Sequence, residues 1–434
     1  MEIKDFKNYL DENIEIQGFI DNIRNLQYVQ FVILRDGTGK VQITIEKNEE
    51  NSELVNIIDN LTLESTVKVK GKLISSPKVK LNGMEIIPES IVITSKSLPE
   101  LPIDIKNKDN SLRETRLDWR FLDLRREDNK LLFECQTYIE HLMREYWYKN
   151  NFMEIHTPKI SASSAESGAE MFKLDYFGEK ACLSQSPQFY KQMAMSAGFN
   201  KVFEIGPVFR AENSHTSYHA TEIEMVDCEI SWIDSYQDVM DEEEAWIKYF
   251  ISGLKEKYGE KIKEVFNVEV SDTSNNFPRI TFDEVKKIMK EKYKYNGEKE
   301  DDLDRHEEEL ICKYVKKEYK SDFVFVTNFP YSARSFYVMK DENGITQTYD
   351  LLFKGIEITS GAQREHRYDI LKKQIEEKGI NPNDLQFYLD FFKYGCPPHG
   401  GFGVGLARIL MRIFEIDNIR EATFIYRGPT RLNP

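Results

Sequence analysis

The sequence predicts an α+β fold in two parts. A small N-terminal β-barrel of OB type spans 1–97, a connector spans 98–128, and a larger body of mixed strands and helices spans 129–434. Three observations carry this. The first is five short strand-like runs with one helical stretch after the third. The second is a mostly polar stretch that opens Leu98-Pro99-Glu100-Leu101-Pro102. The third is a second half in which helical and strand periodicities alternate, ending in a glycine-rich run before an apolar helix.

Taken in order, Ile14-Glu15-Ile16-Gln17-Gly18-Phe19-Ile20 opens the barrel, and Phe31-Val32-Ile33-Leu34 leads into the turn Asp36-Gly37-Thr38-Gly39-Lys40. Val41-Gln42-Ile43-Thr44-Ile45 returns, a helical stretch runs from Ser52 to Leu61, and Thr66-Val67-Lys68-Val69-Lys70-Gly71 and Glu85-Ile86-Ile87-Pro88 complete the set. Such barrels often bind single-stranded nucleic acid on an aromatic-bearing face. Phe31 is either such an aromatic or barrel core. Beyond the connector, apolar residues Leu132, Cys135, Ile139, Leu142 and Met143 mark an amphipathic helix over Asn129 to Lys149. A short strand stopped by proline follows, Phe152-Met153-Glu154-Ile155-His156-Thr157-Pro158. Residues 236–320 are dense in Lys and Glu and are expected to be an insertion of exposed helices and loops.

Composition bounds the function. The chain has 434 residues, 40% hydrophobic and 12% aromatic, enough for a sizeable core. No apolar run reaches the ~18 residues of a membrane span. Met1-Glu2-Ile3-Lys4-Asp5 lacks the apolar stretch of a signal peptide, so a cytoplasmic protein is expected. The cysteines, Cys135, Cys182, Cys228, Cys312 and Cys396, form no CxxC pair and point to neither a zinc site nor a disulfide framework. A net charge of −15 argues against non-specific nucleic-acid binding, though not against local basic patches.

The chemistry-bearing residues lie far apart. Phe209-Arg210-Ala211-Glu212 ends a strand-like run, and Gly401-Phe402-Gly403-Val404-Gly405-Leu406-Ala407-Arg408 opens a helix. Two arginines fixed on separate elements can hold the phosphates of one nucleotide, since each guanidinium is a rigid, permanently charged fork. Strand parity is expected to put Arg210 and Glu212 on one face, with Asp227 and Glu229 together on the next strand. In the hairpin Tyr349 to Gly361, a tight turn at Lys354-Gly355 sets Leu352 opposite Glu357, so Asp350 and Glu357 share a face. They are two separate solvated carboxylates or, joined by a cation such as magnesium on ATP phosphates, a metal site. Lys191, in Gln185-Ser186-Pro187-Gln188-Phe189-Tyr190-Lys191, is a surface lysine or, beside Arg364 and Asp227, part of a charge-selective pocket.

Together these segments resemble a class II aminoacyl-tRNA synthetase of the aspartyl branch, archaeal and eukaryotic type, over essentially the whole chain. The family's three motifs match 129–158, 209–229 and 401–408; Ser360-Gly361-Ala362-Gln363-Arg364 and Asp417-Asn418-Ile419-Arg420 look like family signatures as well. The resemblance implies an antiparallel catalytic sheet flanked by helices, an anticodon-binding barrel and a homodimer. It implies ATP, aspartate and tRNA as substrates and Mg2+ as cofactor. Arg210 would bind the ATP α-phosphate, Arg408 the γ-phosphate, Glu212 the adenine side and His219 the phosphate tail. Asp350 and Glu357 would hold magnesium, with Ser360 beside them at the edge of the amino-acid pocket. Gln188, Lys191, Asp227 and Arg364 would bind the amino acid under a mobile loop carrying Glu166 and Ser167-Gly168. Phe31 and Gln42 would stack on and hydrogen-bond an anticodon base. Asparaginyl enzymes, close relatives, usually lack the lysine at 191 and carry Glu where this chain has Asp227. An asparaginyl enzyme, an adenylate-forming asparagine synthetase and a non-catalytic tRNA-binding paralogue remain alternatives. The chain departs from the family at Tyr218, Ile223, Ala407 and Gly428.

Overall fold

The computed structural model describes residues 1–162 and 171–434 and divides into two compact units, Met1–Asp104 and Ile105–Pro434. The first is a closed five-stranded barrel. Its strands are β1 (Asn13–Asn25), β2 (Val29–Arg35), β3 (Lys40–Glu46), β4 (Thr66–Ser75) and β5 (Met84–Ser95), in the order β1-β2-β3-β5-β4, with helix α1 (Ser52–Asp59) between β3 and β4. Val32, Leu34, Val41, Ile43 and Ile45 alternate into the barrel core, so intervening residues face outward.

The connector expected over 98–128 is divided between the two units. From Ile105 it belongs to the larger unit, where Arg116, Arg120, Asp123 and Arg126 are buried in ion pairs. Arg120 is 2% exposed, bonded to Asp123 at 2.5 Å and to the Thr423 and Phe424 carbonyls. Arg116 reaches Asp123 and Glu421.

The larger unit is built on an eight-stranded sheet. Its strands are β6 (Met153–Glu154), β7 (Lys201–Phe209), β8 (Glu222–Ser231), β9 (Arg279–Thr281), β10 (Phe323–Thr327), β11 (Thr348–Phe353), β12 (Ile356–Gln363) and β13 (His399–Gly405). They run in the order β9-β10-β11-β12-β13-β8-β7-β6, antiparallel except for the outer pairs β6–β7 and β9–β10. One face is covered by helices α2 (Glu127–Lys149) and α4 (Tyr236–Phe266), whose Trp147 and Trp246 stack at 4.6 Å and 9° against sheet residues Phe203 and Phe402. The other face is flanked at one side by α3 (Gln188–Ser196) and at the far side by α5 (Arg305–Tyr319). Helix α6 (Leu406–Ile413) follows β13 directly.

The segment 236–320 is not an exposed insertion. Met240, Trp246, Ile247, Phe250, Ile251 and Leu254 of α4 are at most 1% exposed and form the core, while β9 adds a strand to the sheet edge. Most of the Lys and Glu residues that dominate its composition occupy the outer faces of these helices, though Glu243, Glu244 and Glu307 are buried; burial of one apolar stripe per helix outweighs average polarity.

Candidate active site

Antiparallel pairing draws a row of residues across five strands: Asp350, Ser360, Gly403, Asp227 and Glu204 lie directly opposite one another in turn. The parallel row Thr348, Ala362, Gly401, Glu229 and Val202 shares that face. The row between them, Tyr349, Gly361, Phe402, Cys228 and Phe203, points into the core. Apolar residues thus sit on the helix-covered face and carboxylates on the other, as the period of two requires. Gly401 closes the approach of strand to side chain: a Cβ there would lie 2.0 Å from the Cys228 carbonyl and 2.2 Å from Glu229 Oε2.

Lys191 reaches this face from α3 and is 3% exposed. Its ammonium donates to Asp227 Oδ1 at 2.9 Å and to the Phe402 carbonyl at 3.1 Å, with Glu229 Oε2 at 3.3 Å. Arg364, 4% exposed, donates through Nε to Glu229 Oε1 at 3.0 Å and through its terminal nitrogen to the Gly401 carbonyl at 3.0 Å. The expected cluster of Lys191, Arg364 and Asp227 is therefore formed, but Glu229 completes it and balances two cations with two carboxylates. Burial pushes the Glu229 carboxyl up, and Arg364 and Lys191 together pull it below the usual glutamate range. Sequence parity set Glu229 beside Asp227 but gave no sign of its shared role between two cations. Gln188 is buried too. Its amide donates to Gln192 Oε1 at 2.9 Å, which also accepts from the Tyr388 hydroxyl at 3.0 Å. Burial pushes His399 down to about 4, so the ring is neutral. Its Nδ1 donates to the Pro397 carbonyl at 2.9 Å, which leaves Nε2 to accept from the Gln192 amide at 3.0 Å. Gln192, Tyr388 and His399 carried no sequence signal, since each acts through a partner distant in the chain.

A second group gathers where β7, the loop after it and α6 meet. β7 ends at Phe209, so Arg210 and Glu212 lie beyond the strand and parity alone does not place them; the Arg210 N–H still bonds the Thr221 carbonyl at 2.9 Å and holds it to β8. His219 Nε2 lies 3.8 Å from Glu212 Oε2. Burial lowers the His219 pKa, Arg408 and Arg210 push in the same direction, and Glu212 opposes them. The other three expected residues are thus within electrostatic reach of the His219 imidazole. Arg408, in the first turn of α6, donates to the Glu357 carbonyl oxygen at 3.2 Å. Among the described residues neither Arg210 nor Arg408 forms an ion pair, and Arg210 Nε is buried without a hydrogen-bond partner. Two half-buried guanidiniums without counter-ions suit an anionic ligand. The glycine-rich run before α6 is not a tight turn but β13, a central strand.

The hairpin pairs Leu352 with Glu357, as its turn required, and a bulge between Leu351 and Leu352 then sets Ser360 opposite Asp350. Without that extra residue Ser360 and Glu357, three apart, would face opposite ways. Asp350 is 5% exposed, and both its oxygens accept from Arg334, at 3.1 and 2.6 Å. Burial pushes Glu357 up to about 8, with the Asp350 charge adding to the effect. Glu308 of α5, pushed by burial to about 7, accepts from the Glu357 N–H at 3.3 Å. Neither Arg334 nor Glu308 carries a local sequence signal: one stands alone in a loop and the other within a charged run.

In the barrel unit, Phe31 alternates with buried Val32 and is half-buried on the outer face rather than in the core. Gln42 shares that face, with its amide donating to Glu85 Oε2 at 3.1 Å. Glu166, Ser167 and Gly168 lie outside the described residues. The departures from the family pattern are accommodated. Tyr218 lies under the Arg305 guanidinium at 4.6 Å, and Ile223 and Ala407 pack on the core. A Cβ at Gly428 would meet the Tyr426 hydroxyl at 2.3 Å.

Known proteins resemble this chain over nearly its whole length. Residues 112–426 match the model of the class II tRNA synthetases (D, K and N), and residues 14–94 match the OB-fold nucleic acid binding domain. The chain is 41% identical over 425 residues to the aspartate–tRNA(Asp) ligase of Pyrococcus abyssi, covering 98% of this chain and 96% of that one. It is 40% identical over 424 residues to the aspartate–tRNA(Asp/Asn) ligase of Aeropyrum pernix, covering 97% and 95%. Among solved structures, asparaginyl-tRNA synthetase from Pyrococcus horikoshii with asparaginyl-adenylate superposes with a TM-score of 0.91 at 31% identity, covering 98% of this chain and 97% of that one. The aspartyl tRNA synthetase from Entamoeba histolytica does so at 0.88 and 31%, covering 100% and 92%. With a family model matched over 112–426 and relatives about 40% identical over nearly the full length, this chain belongs to the class II tRNA synthetases of the D, K and N group.

Proposed function

We propose that the enzyme is an aspartate–tRNA ligase. It activates aspartate with ATP and passes the aspartyl group to the 3′ end of tRNA. The observation that carries the choice of amino acid is Lys191, buried with Arg364 on the face that bears Asp227. Once the substrate ammonium draws on Asp227, Lys191 and Arg364 carry one more positive charge than Glu229 offsets; a side-chain carboxylate meets that excess and a neutral amide does not, so the amide is rejected. The aspartate α-carboxylate attacks the ATP α-phosphorus and pyrophosphate leaves; the terminal ribose hydroxyl of tRNA then takes the acyl group from the adenylate. No enzyme nucleophile is needed. Arg210 and Arg408 orient the phosphates and neutralise developing charge, and Asp227 meets the substrate ammonium.

Asp350, Glu357 and Ser360 offer hard oxygen donors on one face, and two of them are carboxylates whose proximity and burial raise their proton affinity. That donor set fits Mg2+, which these residues would hold and which would supply positive charge to offset that of the phosphates. In the barrel, Phe31 and Gln42 read an anticodon base by stacking and hydrogen bonding. The α2–β6 segment, which exposes Tyr148 and Met153, forms a homodimer interface, and the enzyme works in the cytoplasm.

The test is ATP–pyrophosphate exchange with aspartate and with asparagine. Aspartate should support exchange and asparagine should not. Arg210→Ala and Arg408→Ala should each slow it by at least about two orders of magnitude, the scale of one lost preorganised contact. Exchange that survives both changes, or that prefers asparagine, overturns the reading.

A further inference from the structure

Arg334 has no part in the functional reading above, yet it makes the tightest contact in the carboxylate group. It follows the one-turn helix Tyr331–Ala333, and its guanidinium is held from two sides. Its terminal nitrogens fork onto both oxygens of Asp350, at 3.1 and 2.6 Å, and its central carbon lies 3.8 Å above the ring of Phe329, which is fully buried. A planar cation sandwiched in this way is preorganised and gives up little freedom to keep the contact. Glu357, the second carboxylate, has no such partner. Arg408 donates to its backbone carbonyl rather than to its side chain. Two close carboxylates are thus served by one intimate cation.

We propose that Arg334 is the resident counter-cation of this pair, holding Asp350 while the site lacks a divalent cation and competing with that cation when it arrives. The inference rests on the reading of Asp350 and Glu357 as the metal carboxylates. Three consequences follow from the geometry. Both oxygens of Asp350 already accept hydrogen bonds, so an incoming cation must displace at least one bond or share a remaining lone pair. Arg334 also adds a unit positive charge beside the pair, which weakens its attraction for a bare divalent ion. A cation that arrives on a nucleotide brings its own phosphate ligands and loses less. Arg334 therefore sets the site to favour the metal–nucleotide complex over the free metal. It acts through Asp350 and is a positioning residue.

The experiment titrates the full-length protein with Mn2+, following free Mn2+ by electron paramagnetic resonance, with and without a non-hydrolysable ATP analogue. Asp350→Asn should weaken Mn2+ binding by at least about tenfold, and Arg334→Gln should tighten binding of nucleotide-free Mn2+ by at least about fivefold, the direction expected when a unit positive charge is removed from a few ångströms away. With the analogue present, the gain from Arg334→Gln should shrink. Circular dichroism checks that each variant is folded. Where Arg334→Gln is not folded, Arg334→Lys carries the test: it keeps the charge but loses the fork, and should bind Mn2+ at least about twofold tighter. Unchanged or weaker binding in the folded Arg334 variant, with Asp350→Asn impaired, overturns the competition and leaves the metal site standing. Full binding by Asp350→Asn overturns both.

Discussion

Replacing Lys191 by methionine asks most directly whether the pocket reads charge. Methionine has nearly the length of lysine but no charge and no donors. In the structure the ammonium is fully engaged, at 2.9 Å from Asp227, 3.1 Å from the Phe402 carbonyl and 3.3 Å from Glu229. Removing it leaves two buried carboxylates facing one cation, Arg364. Deleting one partner of a buried pair costs about 3–5 kcal/mol. Part of that appears as lost fold stability, read by urea unfolding. The part realised on aspartate, at about 1.4 kcal/mol per factor of ten, lowers kcat/KM for aspartate by about two to three orders of magnitude. Asparagine needs no cation, so its residual activation should fall by less than about tenfold. The assay is pyrophosphate exchange with both amino acids on wild type and variant. Equal proportional losses for both, in a folded variant, would refute charge reading and reduce Lys191 to a structural ion pair.

Other outcomes follow from the same structure. Phe31→Ala should weaken aminoacylation of tRNA by at least about tenfold, the scale of one lost base stack, while sparing pyrophosphate exchange; equal loss in both assays would mean the ring serves the barrel instead. Light scattering at micromolar concentration should give twice the chain mass, and a monomer would remove the α2–β6 interface. Glu243, buried and accepting from the Tyr349 hydroxyl at 2.6 Å, is pushed by burial to about 8. An unfolded glutamate releases its proton near about 4.3, so between these values the folded chain binds more protons and stability falls as pH rises. Glu357 and Glu308 act in the same direction, so Glu243→Gln should reduce, without abolishing, the drop in melting temperature from pH 5 to pH 8. An undiminished drop would show that Glu243 is not the proton carrier.

Legibility in the sequence followed the range of the interaction. The barrel was readable because Val32, Leu34, Val41, Ile43 and Ile45 alternate locally, and Asp350 and Glu357 fell on one face because a two-residue turn fixes register over a few residues. Arg210 and Arg408 stood out because each closes a patterned segment, and the family resemblance supplied their roles. What local pattern does not encode is the partner. Glu229 bridges cations contributed by α3 and by the residue after β12, Arg334 finds Asp350 across a loop, and His399 is tied to Gln192, more than two hundred positions earlier in the chain. The helices of 236–320 differ from their sequence expectation for a related reason: charge density averages over a helix, whereas burial is decided by one stripe.

The bare position at Gly401 limits how this enzyme can change. The backbone there already touches the carbonyl of one neighbouring residue and the carboxylate of the next, so even a methyl group has nowhere to go without dislodging the ion that Lys191 and Arg364 share. The floor of the pocket is a fixed wall for mutation. Any lineage, natural or directed, that alters the accepted amino acid has to work through α3, the β8 carboxylates or the loops above, and libraries randomised along β13 should return glycine at 401.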